Sequence, residues 1–393
     1  MNSVISFTIS ITILGLVYLL CLINGIPFLI FLFLTFIPIL LILFNRKLKL
    51  KLKEIFVKVF DKNKLSSTKA LIICLSVLIV SIAFTKNSYR WGGWDAWAIW
   101  NLHAEFLIYG NSWENLFSNK IAWTHPDYPL MLSSLIGMLW KSVGYAVPVI
   151  PSVDAYVVLL CIPFSVYGAL KLKGLEILGV LFFILLAMDF HFISRAASQY
   201  SDTLLSLFIL LTIILFSIYK ETNYNLVYIL GFISGTSGWI KNEGILFFLV
   251  FSFYFIKDIK KMHRKVIGRY LIGAIIPLIS IIAFKIFYAP PNDLIQGQSS
   301  IAINKLFEID RYFITMRFLI YTLLSKYIIL DILIVTLIVL KFTKHKVYLS
   351  TSFKILFTLL SGYIAIYILT PHDLNWHLTS DTAFRSRIIP LTT

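Results

Sequence analysis

The sequence predicts an all-α, polytopic transmembrane helical bundle of about 11 spans with interfacial helices on its outer face. Three observations lead to this prediction. Hydrophobic residues make up 59% of the 393 positions and charged residues only 14%, which excludes an ordinary soluble domain. Many apolar runs approach the roughly 20 residues that a helix needs to cross a bilayer. The runs are continuous rather than strictly alternating, so they predict helices and not the strands of a barrel.

The predicted spans follow the apolar runs in chain order. They lie near residues 4–23, 26–44, 69–85, 150–170, 175–190, 202–219, 225–240, 245–257, 269–288, 327–341 and 353–370. Residues 129–145 are also apolar, but a full crossing there would place Lys171 and Lys173 outside, so we expect a half-buried or surface helix. Because no internal repeat or soluble region divides the chain, we predict a single membrane domain over residues 1–393.

The net charge of +16 predicts orientation and requires no nucleic-acid partner. Most of the Lys and Arg residues crowd into five short segments, which are Arg46–Lys69, Lys171–Lys173, Lys220, Lys257–Arg269 and Lys341–Lys346. Basic loops remain cytoplasmic, and the 11 predicted spans put all five segments and the N-terminus on that side. The same 11 spans place five segments on the outer side, which are residues 86–149, 191–201, 241–244, 289–326 and 371–393.

Residues 90–129 of the first outer loop, 86–149, contain six of the nine tryptophans. Trp side chains favour the membrane–water interface, so Trp94, Trp97 and Trp123 are expected to anchor there, with stacking on a sugar or prenyl chain as the alternative. Asp95 places a carboxylate among these rings, at the depth where a lipid-linked polar group is presented. Asp is also a favoured N-cap residue, so Asp95 is either catalytic or the cap of a helix that starts at Ala96.

Further ionisable residues gather on the same predicted side. They are His125, Asp127, Asp202, Lys241 and Glu243, followed in the last outer segment by His372, Asp373, His377, Arg385 and Arg387. Ionisable groups at membrane depth are costly unless they face a polar cavity or one another. The pattern therefore predicts a polar site at the outer face.

Each of these residues also has a structural alternative. Asp127 lies in a Pro-Asp-Tyr-Pro turn, where Asp often bonds only its own backbone, and Asp202 is able to cap the helix that follows it. Lys241 either extends to the interface or pairs with Glu243. His125 is expected to be structural or a hydrogen-bond donor, because no spacing of the HExxH kind predicts a zinc site.

The ordered set of motifs resembles the GT-C superfamily of membrane glycosyltransferases. The motifs are GGWDAWAIW with HPDYPL, then QYSD, then WIKNEG, then TPHDLNWHL, within residues 86–385. These motifs are similar to those of the branch that contains dolichyl-phosphate-mannose–protein mannosyltransferases and lipid A aminoarabinose transferases. No single motif is specific, and the resemblance depends on their order and on their shared predicted face.

The resemblance implies that Asp95 is the catalytic carboxylate of the first outer loop. It implies that Asp202 is a second acidic site residue and that Lys241 and Glu243 form the basic-and-Glu-Gly turn of the family. Members transfer a sugar from a polyprenyl phosphate outside the cytoplasm, which implies a multi-pass protein of the bacterial plasma membrane with an extracytoplasmic site. The adjacent Asp-Glu pair of the protein mannosyltransferases is absent, since Ala96 follows Asp95, and this argues against a protein acceptor.

The expected reaction is inverting transfer of a sugar from a polyprenyl-phosphate donor to an envelope glycan, a lipid or another acceptor. Asp95 is the expected general base. Asp127, His125, Asp373 and His377 are further expected substrate-binding residues. The cations expected to hold the departing phosphate are Lys241, Arg385 and Arg387.

No cofactor is required by this chemistry. Asp95, Asp127 and Asp202 nevertheless offer the oxygen ligands that Mg²⁺ or Mn²⁺ prefers, so either ion is an open alternative. The expected partners are the donor, a glycan or lipid acceptor and membrane lipids, without nucleic acid. The sequence specifies neither the sugar nor the acceptor nor the prenyl carrier.

A transporter or flippase of a lipid-linked saccharide is the alternative from another functional class. It predicts helices broken by charges or by Gly and Pro near the middle of the bilayer, and two pseudo-symmetric halves. In the sequence only Lys241–Gly244 interrupts an apolar stretch strongly. A non-catalytic assembly subunit is a third alternative, for which replacing Asp95 would affect stability alone.

Overall fold

A computed structural model describes residues 1–33, 35, 66–222, 226–259, 264–292, 304–326, 349–369 and 374. Across these residues the regular secondary structure is helical and includes no strand, which confirms the predicted all-α class. Six of the described helices are long and apolar enough to cross a membrane, or seven if one bent pair forms a single span. These helices indicate a membrane protein.

The described residues form two compact units, of which the first comprises Met1–Pro126, Leu130–Ser201 and Ile218–Tyr224. Its α-helices are α1 (Asn2–Ile23), α2 (Ser67–Asn87), α3 (Leu102–Ile108), α4 (Met131–Val143), α5 (Val149–Leu172), α6 (Glu176–Met188) and α7 (Phe190–Ala197). A π-helix over Ala96–Asn101 precedes α3, and two 3-10 segments, Gly110–Phe117 and Asn119–Thr124, follow it. Helices α1, α2 and α5 match three of the predicted spans.

The predicted span 175–190 corresponds to α6, and the predicted outer segment 191–201 contains most of α7. Helix α6 ends at Met188, and the Asp189 side chain accepts a hydrogen bond of 2.9 Å from the backbone N–H of Phe192 in α7. Asp189 therefore caps α7. The axes of α6 and α7 differ by 70°, so the chain turns sharply within two residues of the predicted end of this span.

Helix α4 differs from the half-buried or surface helix predicted for residues 129–145. Its residues 131–138 are all buried. Gly137 allows close packing on α3, because a Cβ atom there would lie 3.0 Å from the backbone oxygen of Ala104. Apolar residues that face other helices and apolar residues that face lipid give the same sequence pattern, which explains the error.

The second unit comprises Asp127–Pro129, Asp202–Ser217 and Asn225–Thr393. Its helices are α8 (Ser201–Thr222), whose first residue and last turn belong to the first unit, α9 (Leu226–Ile240), α10 (Asn242–Ile259), α11 (Arg264–Phe287), α12 (Ile309–Lys326) and α13 (Leu349–Leu369). Helices α8, α11 and α13 match three further predicted spans.

Helices α9 and α10 form a hairpin whose turn is the single residue Lys241. The Tyr270 hydroxyl of α11 lies 3.0 Å from Ser234 Oγ in α9 and 2.7 Å from Ser252 Oγ in α10, so α9 and α10 lie side by side. Helix α9 also approaches α11 at backbone distance, since a Cβ at Gly231 would lie 2.0 Å from the backbone oxygen of Tyr270. Small residues permit such contact between apolar helices.

The count of about 11 spans remains a prediction. Of the predicted span 26–44 only residues 26–33 and 35 are described, and the span 327–341 lies outside the described residues. The spans 225–240 and 245–257 correspond to the α9–α10 hairpin, where α9 has 15 residues. A helix of that length rises about 22 Å, less than the ~30 Å of a hydrocarbon core.

Candidate functional site

The second unit contains a buried ion pair at the turn between α9 and α10. Lys241 Nζ donates to both carboxylate oxygens of Asp202, at 3.0 and 3.2 Å. Lys241 is 5% exposed and Asp202 3% exposed, so the lysine side chain is paired inside the unit instead of extending to an interface. Asp202 lies within the first turn of α8 and not at the capping position that precedes the helix.

Glu243 adds a second carboxylate to the same lysine. Its Oε1 lies 3.8 Å from Lys241 Nζ, so Asp202 is the closer partner of the two. Both carboxylates occupy the first turn of their helices, where the helix dipole favours negative charge. When ionised, the three groups carry more negative than positive charge, which makes Lys241 a poor site for an additional anion.

Asp127 forms a second polar group in the same unit. Its Oδ2 accepts hydrogen bonds from the side-chain amides of Asn242 at 2.8 Å and Asn292 at 2.7 Å. Lys285 Nζ donates to the backbone oxygen of Asp127 at 2.6 Å and lies 3.8 Å from Oδ2. The Tyr128 ring lies 5.8 Å from Lys241 Nζ. Asp127 is thus bonded by distant residues, in contrast to the local turn that the sequence also allowed.

The structure places Asp95 in the first unit, at the start of the π-helix Ala96–Asn101. Asp95 has helical backbone angles, and its side chain makes no capping hydrogen bond within the described residues. The carboxylate is half-buried. The capping alternative for Asp95 is therefore not realised in this geometry.

The backbone around Asp95 is held at several points within the first unit. The Gly93 N–H donates to the backbone oxygen of Ser198 at 2.9 Å. A Cβ at Gly93 would lie 2.4 Å from the hydroxyl of Tyr200, so a larger residue would require the Tyr200 ring to shift. Asn101 Nδ2 donates to the backbone oxygen of Trp91 at 3.0 Å. These contacts fix both ends of the segment that carries Asp95.

Trp94, Trp97 and Trp123 come together in the first unit. The Trp94 ring centroid lies 6.1 Å from that of Trp97 and 6.2 Å from that of Trp123. The three side chains are 47%, 48% and 50% exposed. The sequence separates Trp123 from the other two, and the 3-10 segment Asn119–Thr124 brings it back to them.

His125 follows this segment in a left-handed backbone conformation, with φ of 52°. Its N–H donates to the backbone oxygen of Ala122 at 3.1 Å, so His125 has a structural role in ending the segment. His125 also influences His103 electrostatically. Burial is the larger cause, and together the two effects lower the pKa of His103 to about 3.

The candidate residues of the last outer segment, Asp373, His377 and Arg385 with His372 and Arg387, lie outside the described residues. In the described ranges, no group of three or more His, Cys, Asp or Glu side chains is arranged to hold a metal ion. Asp127 and Asp202 direct their carboxylates at amide and ammonium groups of the second unit. The Mg²⁺ or Mn²⁺ alternative stays a prediction.

Sequence reasoning missed three partners of Asp127. Lys285 offered a signal, because a lysine within a predicted span is unusual. Asn242 lies in the turn Lys241–Gly244, which the sequence already marked as unusual. An amide side chain in such a turn does not by itself indicate a distant partner. Asn292 stands 165 positions beyond Asp127, and no local pattern connects the two.

Comparisons with known proteins find no matching family model, no matching curated protein and no matching solved structure.

Proposed function

We propose that this protein is a membrane glycosyltransferase that moves a sugar from a polyprenyl-phosphate donor to an acceptor hydroxyl on the extracytoplasmic side. The observation that carries the proposal is the setting of Asp95. It is a half-buried carboxylate at the start of a π-helix, on a backbone fixed by Gly93 and Asn101, in a segment that also carries exposed tryptophans. Local π-helices are frequent at functional sites, and a general base needs a supported position.

In this proposal Asp95 accepts the proton of the acceptor hydroxyl while the hydroxyl oxygen attacks the anomeric carbon. The bond between that carbon and the phosphate oxygen breaks, and polyprenyl phosphate leaves with the electron pair. Attack from the face opposite the phosphate inverts the configuration. General-base assistance of this kind contributes roughly 10²–10⁴-fold to a rate.

The departing phosphate needs a cation to bind it. The contacts of Lys241 in the second unit indicate whether this lysine is suited to that role. Lys241 already faces the carboxylates of Asp202 and Glu243, so a phosphate there would meet two negative charges. We therefore assign Lys241 to positioning the α9–α10 turn. Lys241 is thus not assigned to the phosphate, and Arg385 and Arg387 stay predictions from the sequence for that role, with charge-assisted hydrogen bonds as the expected mode of binding.

The proposed setting is the bacterial plasma membrane, with 11 spans and the basic segments on the cytoplasmic side. The support for this orientation is the distribution of Lys and Arg. The six apolar helices of sufficient length support the membrane location itself.

The test replaces Asp95 by Asn and measures transfer from synthetic polyprenyl-phosphate sugars by the purified protein in lipid nanodiscs. Mass analysis of envelope glycans and lipids with and without the protein identifies the sugar and acceptor to use. Because Asn keeps the shape of Asp and no capping bond is lost, we expect normal folding and a rate lower by roughly 10²–10⁴-fold.

The matched control is Glu105→Gln, which neutralises an exposed carboxylate of the same loop and should leave the transfer rate unchanged. A folded Asp95→Asn protein that transfers sugar at the wild-type rate would remove Asp95 as the base. Absence of transfer from every donor in wild-type protein would argue against the transferase itself.

The transporter alternative has one structural observation in its favour, the 70° bend between α6 and α7. The bend has a local cause, since Asp189 caps α7. The other interruption, at Lys241, is the turn of a hairpin and not a break within a straight span. We therefore retain the transferase as the proposal.

A further inference from the structure

Helix α12 of the second unit exposes a row of apolar side chains, the α12 stripe, which consists of Ile309, Phe313, Met316 and Ile320. Successive members lie four, three and four positions apart, so they share one face of the helix. Their side chains are 68%, 71%, 42% and 52% exposed. If residues 289–326 lay wholly outside the membrane, as predicted from the sequence, this face would be in water, where such an apolar patch is unusual.

The opposite face of α12 packs on α13. Arg311 Nε donates to the backbone oxygen of Ile368 at 2.7 Å, and Leu319 lies in a buried cluster with Tyr367. Arg311 stands two positions after Ile309, which corresponds to a rotation of about 200° around a helix with 3.6 residues per turn. The α12 stripe therefore faces away from α13.

Helix α13 indicates the level of this contact relative to a membrane. Its residues Thr351–Leu369 are long and apolar enough to cross a bilayer, and Ile368, which accepts the Arg311 bond, lies in its last turn. Phe353 and Phe357 of the same helix are 61% and 62% exposed, as expected for the lipid-facing side of a span. Arg311 therefore binds α13 where that span ends, close to one surface of the bilayer.

We infer that α12 is inserted into the outer leaflet beside α13, with its stripe against the acyl chains of the bilayer lipids. Helix α12 carries Asp310, Arg311 and Arg317 and is not among the six helices apolar enough to cross a membrane, so the insertion is partial. Residues 309–321 then lie in the leaflet instead of the predicted outer segment, and the predicted side of the other segments is unchanged. The inference does not rest on the proposed transferase.

Composition favours lipid over water or a protein partner as the occupant of this face. In water, the four apolar side chains would forgo the stabilisation that burial of apolar surface provides. The core of a protein interface is usually poor in charge, whereas the exposed Arg317 follows Met316 directly. In a bilayer, the apolar stem of an arginine lies along the acyl chains while its guanidinium reaches the phosphates. Phospholipid headgroups thus complement the charge of Arg317.

Site-directed spin labelling of the full-length protein tests this insertion, in nanodiscs of phosphatidylethanolamine and phosphatidylglycerol. Phe313, Met316 and Ile320 are replaced one at a time by Cys, in a protein whose three native cysteines are alanine, and each new Cys carries a nitroxide. Power saturation measures nitroxide collisions with oxygen, which concentrates in hydrocarbon, and with a water-soluble nickel chelate. We expect frequent collisions with oxygen and rare collisions with nickel at all three positions.

Two matched controls calibrate the measurement. Phe357→Cys on α13 replaces a side chain that is 62% exposed and should behave like the stripe. Lys120→Cys replaces an exposed lysine of the predicted outer loop 86–149 and should collide mainly with nickel.

Frequent nickel collisions at the three stripe positions would place α12 in water and overturn the inference. Protection of the stripe from both oxygen and nickel would show that protein covers it, which overturns the inference as well. Because the replaced side chains face away from α13, the variants should fold like the wild type, and their thermal unfolding temperatures check this.

Discussion

His103 and Asp95 are ionisable residues of the predicted outer loop 86–149, and they differ in burial. Asp95 is half-buried, whereas His103 is fully buried, with its Nε2 at 3.1 Å from Thr124 Oγ1. The Thr124 hydroxyl donates its proton to the backbone oxygen of Ile121 at 2.8 Å, so it accepts from His103 Nε2–H. Among the described residues Nδ1 has no hydrogen-bond partner, and burial of the ring disfavours its charged form.

We expect His103 to make folding stability depend on pH. Burial, with a smaller contribution from His125, lowers the pKa of His103 to about 3, against about 6.5 in an unfolded chain. Below about pH 6.5 the unfolded state binds a proton that the folded state excludes. Stability should therefore fall as the pH drops from about 6.5 towards 3, by up to ~1.4 kcal/mol per pH unit.

The measurement is thermal unfolding of detergent-solubilised protein as a function of pH. His103→Gln should make the unfolding temperature depend less on pH between about pH 6 and 4, because glutamine does not titrate. His191→Gln, which replaces an exposed histidine, is the control and should follow the wild type. Equal slopes in wild type and His103→Gln would show that the histidine is protonated in the folded state.

At the scale of residues, the sequence identified the carboxylates but not their partners. The turn around Asp127 was predicted from its two prolines, yet its bonds come from Asn242 and Asn292, which are 115 and 165 positions away. Asp95 was singled out because tryptophans surround it in the chain. The π-helix that holds it could not be inferred, since propensities do not distinguish it from an α-helix.

At the scale of elements, one buried ion pair joins α8 to the α9–α10 hairpin. Lys241 and Asp202 stand 39 positions apart, and both are almost fully buried. A buried pair often adds little net stability over an apolar pair, but leaving one partner alone is strongly destabilising. We therefore expect the pair to specify which helix ends meet more than it stabilises the unit.

A double-mutant cycle of Lys241 and Asp202 tests this role of the ion pair. Lys241→Met should destabilise the protein by about 3–5 kcal/mol, because Asp202 and Glu243 lose their shared cation. Adding Asp202→Asn should restore part of that loss, since one buried charge is then removed. The measurement is thermal or denaturant unfolding of the four proteins, with Lys141→Met, at the end of α4 in the first unit, as an independent lysine control.

Additive effects of the two substitutions would show that the pair does not couple α8 to the hairpin. Full donor binding and normal stability in Lys241→Met would contradict a structural role for this lysine. Loss of donor binding without loss of stability would instead return Lys241 to the phosphate site that the sequence suggested.

The elements that hydropathy predicted well are the long ones. Helices α1, α2, α5, α8, α11 and α13 coincide with predicted spans because each is a long apolar run. Hydropathy also predicted the end of α6 to within two residues. It did not reveal that most of α4 is covered by protein, because the order of apolar residues in the chain does not encode what they contact.

At the scale of the whole molecule, every site assignment depends on which side of the membrane the outer loop occupies. The positive charges predict that residues 86–149 are extracytoplasmic and that Lys171–Lys173 are cytoplasmic. Helix α5, which is long enough to cross a bilayer, lies between these segments. Helix α4 precedes it within the outer loop, but it is too short and too buried to be a lipid-facing span.

Two single cysteines on either side of α5 test this orientation. In a background where Cys21, Cys74 and Cys161 are replaced by alanine, Lys120→Cys and Lys173→Cys each replace an exposed lysine. In right-side-out membrane vesicles, a membrane-impermeant maleimide should label Lys120→Cys at once and Lys173→Cys only after detergent is added. The two variants control for each other, because both lose the same charge.

Labelling of both before detergent would mean that α5 does not cross the bilayer. The reverse pattern would place Asp95 in the cytoplasm, where the proposed extracytoplasmic transfer from a polyprenyl-phosphate sugar is impossible.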